Sequence, residues 1–170
     1  LGSLRVSVTD RCNLRCGYCL PEGSQVWLPK DDIATLEELA ALVRATTLVG
    51  ASKVRVTGGE PLLRRGLPIL IKALAAMPAI RDLAMTTNAV FLADQAQHLR
   101  AAGLGRLTIS IDTLRAERYA IATRRNTAST AENGSSKCRF MKTCPSTWAT
   151  RMRRPRPASK IAAPRPGASL

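Results

Sequence analysis

Leu4-Arg5-Val6-Ser7-Val8-Thr9-Asp10-Arg11-Cys12-Asn13-Leu14-Arg15-Cys16-Gly17-Tyr18-Cys19 is the stretch that decides the fold. Its first half alternates apolar and polar side chains, the period of a strand with one buried face. Its second half sets Cys12, Cys16 and Cys19 at C-x3-C-x2-C spacing directly after that strand. Three thiolates on one short loop can hold three irons of a [4Fe–4S] cube and leave the fourth open to a small molecule. Zinc competes for thiols, although a structural zinc site wants four ligands. Inert buried thiols are the third reading. His98 lies in an expected helix and is read as a surface or packing residue. Cys138 and Cys144 fall in irregular sequence and are assigned to no cluster.

Outward from this loop, strands and helices alternate. Strands are expected at Leu4–Thr9, Lys53–Thr57, Leu83–Thr87 and Arg106–Asp112. A helix starts at Thr35, which with Glu38 has capping-box spacing, and stops near Gly50. A second runs from Leu67 and ends by Pro78, a third covers about Ala93–Ala102, and residues 115–122 look weakly helical. Such alternation implies an α/β fold with a parallel sheet and right-handed crossovers. Each strand carries apolar residues on one face and polar residues on the other. Helices must cover the apolar face. The polar face, with Arg5, Arg55 and Asp112, suits the lumen of a β/α barrel that holds a ligand. A sheet whose second face is simply wet is the alternative.

A second chemical signal is Thr57-Gly58-Gly59-Glu60-Pro61, at the end of the second strand. Barrel active sites form at the carboxyl ends of strands, so this loop lies beside the cysteine loop. Gly58 and Gly59 would let backbone approach a ligand. Exposed carbonyls and Glu60 could accept bonds from an amine.

The thiol triad with Tyr18 before its last cysteine, followed by Gly-Gly-Glu-Pro, resembles the radical S-adenosylmethionine (SAM) superfamily. Four ordered blocks resemble one member family more closely: residues 4–16, Val54–Leu62, Met85-Thr86-Thr87-Asn88 and Leu107–Asp112. That family is the GTP 3′,8-cyclase of molybdenum-cofactor biosynthesis. The resemblance covers about residues 4–125, and Ala89 stands where the family generally has glycine. It implies a partial β/α barrel with Cys12, Cys16 and Cys19 as cluster ligands and SAM on the open iron. Tyr18, Gly58, Gly59, Glu60 and Ser110 would contact SAM, and Arg5, Arg55 and Thr86 would contact GTP. The cluster would reduce SAM, and the resulting radical would start cyclisation of GTP. An electron donor such as a flavodoxin or ferredoxin is implied as well. The bland readings remain an ion pair from Arg5 or Arg55 to Asp10 or Asp112, and Thr86 as a plain strand residue.

Composition bounds the rest. The chain has 170 residues, room for one domain, and only 4% aromatics, which argues against an aromatic-lined platform. No apolar run of about 18 residues is present, so a membrane span is not expected. No secretory signal opens the chain, so a reducing, cytoplasmic setting is expected. The chain opens on Leu1, as a fragment would. The net charge of +14 is uneven: residues 126–170 hold 9 Lys/Arg and 1 Asp/Glu, a net of +8. That segment is rich in Pro, Arg and Ser and is expected to be a disordered tail, out of frame or otherwise unrelated to the enzyme. The division expected is therefore 1–125 as barrel core and 126–170 as tail. With about four β/α units the barrel would not close, so low stability and impaired cyclase activity are expected. Rival functions are another radical SAM reaction, a structural metal module, or nucleic-acid binding through Arg151, Arg153, Arg154 and Arg156.

Overall fold

The computed structural model describes residues 2–19, 26–124 and 149–150. Strands β1 (Ser3–Ser7), β2 (Lys53–Thr57), β3 (Asp82–Thr87), β4 (Arg106–Ile109) and β5 (Ala149–Thr150) form one sheet in sequential order. All neighbouring pairs are parallel. Helices α1 (Leu36–Leu48), α2 (Leu67–Ala75), α3 (Leu92–Ala101) and α4 (Ala116–Thr123) lie between them in sequence. This is the α/β architecture of a partial β/α barrel.

The period-2 pattern sets the register and the faces. Val6, Val56, Met85 and Leu107 stand in one row across four strands. All four are buried, with Leu39 and Val43 of α1, Leu70, Ile71 and Leu74 of α2, and Leu92 and Leu99 of α3. Burial at about 25 cal/mol per Å² makes this apolar layer the main favourable contribution to folding. A one-residue slip would turn the row to the opposite face, so the register is strongly specified.

Local chemistry fixes the helix ends. Thr35 Oγ1 accepts from Glu38 N–H at 3.1 Å, and Thr35 N–H donates to Glu38 Oε2 at 2.8 Å, so the expected capping box is present. After α3, Gly103 adopts φ 99, and a Cβ there would meet Ala75 Cβ at 2.6 Å. Glycine is needed both for the left-handed turn and for the close packing of α3 on α2.

Three boundaries differ from expectation. β1 is Ser3–Ser7 rather than Leu4–Thr9, because Thr9 turns its carbonyl to the β2 loop. β4 stops at Ile109, so Ser110 and Asp112 lie beyond the ladder. In the segment expected to be irregular, Ala149–Thr150 pairs with Arg106 and Leu107 of β4. Backbone pairing needs no side-chain pattern, so composition gave no sign of it. The remainder of the expected tail, with Cys138, Cys144 and the Arg151–Arg156 group, lies outside the described residues.

Candidate functional site

The loops after the strands meet at the carboxyl end of the sheet. The cysteine loop leaves β1 and is anchored at both edges. Arg15 N–H donates to Thr123 O at 3.1 Å and Gly17 N–H to Ala122 O at 3.4 Å, using free carbonyls at the end of α4. Leu14 and Cys16 are buried against Val90, with Phe91 and Tyr119 packed around them. Cys12 is half-buried and Cys19 exposed. Leu14 N–H donates to Cys12 Sγ at 3.4 Å, and Cys19 N–H to Cys16 O at 3.0 Å. Burial pushes the Cys16 thiol up, and nearby Cys19 adds to it. Burial also pushes Cys19 up, with Cys12 adding. Thiols that oppose one another's ionisation in this way become thiolates together only beside a cationic group.

The Gly-Gly-Glu-Pro loop grips the cysteine loop from β2. Gly59 N–H donates to Thr9 O at 2.7 Å and Glu60 N–H to Arg11 O at 2.8 Å. A Cβ at Gly59 would lie 2.2 Å from Arg11 O. The absent side chain thus serves contact between the two loops. Glu60, expected to face an amine, is turned inward and only 1% exposed. Its Oε1 accepts from Leu62 N–H at 3.1 Å and Thr87 Oγ1–H at 2.5 Å, and its Oε2 from Asn88 N–H at 2.8 Å. A buried carboxylate needs such donors, and these tie the β2 loop to the end of β3.

Tyr18 is 68% exposed, and its hydroxyl donates to Asp112 Oδ2 at 2.8 Å, linking the cysteine loop to the segment after β4. Partial burial and this bond hold the phenol well above its usual range. Ser110 is exposed, with its N–H on Thr87 O at 2.9 Å.

Arg5, Arg55 and Thr86 all lie on the sheet face opposite the helices, as the alternation requires. Arg55 reaches across β3: its Nη1 donates to Thr86 Oγ1 at 3.2 Å and to Thr108 Oγ1 at 2.9 Å. Ala84, next to Arg55 in the register, is small enough to pass beneath it. Arg5 is exposed. Among the described residues neither Asp10 nor Asp112 forms the ion pair of the alternative reading. Asp10 Oδ2 accepts from Leu28 N–H at 2.8 Å, and the described residues show one salt bridge, Arg106 to Asp82. Thr108 was missed by sequence reading although its place on the polar face of β4 would have found it.

The donor set suits an iron–sulfur cluster: three soft thiols on one loop, the innermost among apolar residues, with the buried Asn13 Nδ2 lacking a partner among the described residues. Among the described residues no three His, Cys, Asp or Glu gather on one point as a single ion requires. A cube takes one thiolate per iron and makes no such demand. A cavity of about 680 Å³ opens beside the N-terminus of α1, between Arg11, Lys30, Arg64 and Arg65, and none of the three cysteines lines it.

The family model described as the radical SAM superfamily matches residues 6–139. The chain belongs to the radical SAM superfamily. Membership implies a [4Fe–4S] cluster and SAM. A GTP 3′,8-cyclase 1 of Mycobacterium tuberculosis is 49% identical over 130 residues, covering 74% of this chain and 36% of that protein. The GTP 3′,8-cyclase of Pelotomaculum thermopropionicum is 52% identical over 121 residues, 71% of this chain and 37% of that protein. The chain thus spans a little over a third of these relatives. In fold it is similar to SuiB of Streptococcus suis, solved with its precursor peptide SuiA, at TM-score 0.56 and 19% identity over 78% of this chain and 30% of SuiB. The SAM-bound SuiB structure gives 0.54, at 20% identity over 78% of this chain and 32% of SuiB. No helix among the described residues is long and apolar enough to cross a membrane.

Proposed function

We propose that this radical SAM chain carries the cluster, SAM and part of the GTP site of a GTP 3′,8-cyclase. The observation that carries the reading is the bracing of the cysteine loop by the Gly59 and Glu60 amides on Thr9 and Arg11, beside the Arg55 guanidinium on the same sheet. Cys12, Cys16 and Cys19 would hold the cluster. With Gly59 N–H spent on Thr9, its carbonyl is the group left to accept from the SAM amine. Gly58 shapes the same loop, and Glu60 fixes it from below. Tyr18 and Ser110 border the site from opposite sides, on the cysteine loop and after β4. When bound, the cluster supplies the electron that breaks a carbon–sulfur bond of SAM, whose radical product takes hydrogen from the substrate.

Arg5, Arg55 and Thr86 would receive GTP. The two threonine bonds hold the Arg55 fork in one orientation, which suits an anion that accepts two bonds. A flavodoxin or ferredoxin would deliver the electron. Identity near 50% to proteins named GTP 3′,8-cyclase supports this substrate over others. Among the described residues no helix covers the polar face and Arg5 is exposed, so this chain is expected to cleave SAM far better than it cyclises GTP.

The test is anaerobic reconstitution with iron and sulfide, followed by reduction with SAM present. Visible absorbance of a cluster and release of 5′-deoxyadenosine are expected from wild type, and loss of both from Cys16→Ala. A colourless protein, or a cluster inert to SAM, would sink the reading.

A further inference from the structure

Asn88 sits one residue past β3, opposite the first cysteine of the loop. Its carboxamide is fixed at both ends. Oδ1 accepts from Val90 N–H at 3.0 Å, and one Nδ2 hydrogen goes to Asn13 Oδ1 at 2.8 Å. The second Nδ2 hydrogen is left for Cys12 Sγ, 3.9 Å away. Its backbone is held as well, because Asn88 N–H donates to the buried Glu60 carboxylate at 2.8 Å. Cys12 Sγ receives a second amide, Leu14 N–H, at 3.4 Å. Asn13 Nδ2 is buried and has no partner among the described residues.

Two donors converge on one sulfur, and Asn13 Oδ1, which accepts from Asn88 Nδ2, lies 4.0 Å from it, within reach of the thiol hydrogen. A neutral thiol has little use for so many donors. A thiolate bound to iron has much more, since it carries negative charge and only accepts. Each N–H on a ligand sulfur favours the reduced, more negative cluster over the oxidised one.

We propose that Asn88 is a positioning residue that raises the reduction potential of the cluster through Cys12. It does so by its own Nδ2–H on Cys12 Sγ, held in place by the bonds to Val90, Asn13 and Glu60. The inference rests on the cluster assignment above and adds to it a residue outside the ligand set. Glu60 then has a second consequence: it sets the height of Asn88 over the thiol.

Wild type, Asn88→Asp and Asn88→Ala are loaded anaerobically, and iron content and circular dichroism are compared. Each is then titrated reductively without SAM, following visible absorbance and electron paramagnetic resonance. Asn88→Asp keeps the acceptor for Val90 and loses the amide hydrogens, while Asn88→Ala loses them without adding charge. Both are expected to bind the same iron as wild type. Both should show a lower midpoint potential, about tenfold less reduced cluster at fixed potential, equivalent to ~59 mV for one electron. A loaded wild type with both variants at its own potential overturns this inference alone. A lowered potential in the aspartate variant only would assign the effect to charge and overturn it too. A wild type that takes up no iron overturns both this inference and the cluster assignment.

Discussion

Replacing Glu60 by alanine would strand three donors in the interior: Leu62 N–H, Thr87 Oγ1–H and Asn88 N–H. Each buried, unsatisfied group costs about 1–3 kcal/mol. Glu60→Ala is therefore expected to lose roughly 3 kcal/mol or more, read as a lower urea midpoint, with Glu60→Gln less affected. An unchanged midpoint would mean that these bonds carry no net stability. Ala89 is buried and, like Arg124, sits at positive φ, here φ 64 in the left-handed region. Relief of about 1 kcal/mol in Ala89→Gly is nearly offset by loss of a buried methyl worth about 0.8 kcal/mol. Thermal unfolding should show Ala89→Gly within ~0.5 kcal/mol of wild type. Ala89→Val should cost about 2 kcal/mol, because a β-branched side chain disfavours that conformation strongly. Neither the inward turn of Glu60 nor the strain at Ala89 was legible in the sequence. Both depend on where the β2 loop meets the end of β3.

Elements were legible wherever pattern and punctuation agreed. The capping pair Thr35 and Glu38 marks the start of α1, and Gly103 the end of α3. Strand ends were less so, since a ladder ends where a neighbour ceases to pair rather than where alternation stops. Ile109 is followed by Ser110-Ile111-Asp112, which keeps the period of two after β4 has ended. The contact between the cysteine and glycine loops also belongs to this scale. A methyl at residue 59 would overlap Arg11 O, a backbone atom unable to swing aside. Gly59→Ala is expected to displace the cysteine loop while the sheet and helices persist. The far-ultraviolet spectrum should stay native-like as iron uptake falls several-fold. Full iron uptake by this variant would show that the close approach is dispensable.

At the scale of the whole molecule, helices close one sheet face, and among the described residues none covers the other. Arg5 on that face is exposed and Arg55 is half-buried, so the attraction between this face and a nucleotide would be screened by salt. GTP binding, followed calorimetrically, should weaken as ionic strength rises. Arg55→Lys should weaken it roughly tenfold, about 1.4 kcal/mol, by losing the fork that Thr86 and Thr108 orient. Equal affinity in the lysine variant would remove Arg55 from the site. Alternation in four strands and the cysteine spacing were enough, by themselves, to determine the fold class, the helix-covered face and the thiol loop. Both signals are local, because side-chain direction follows the period of two and ligands on one loop come together without help from the rest of the chain. Tertiary structure decided what each polar group faces. It turned Glu60 inward, joined Tyr18 to Asp112, drew Arg55 to Thr108 and set Asn88 above Cys12. Such partners lie tens of residues apart and meet only when parallel strands bring their carboxyl ends to one edge.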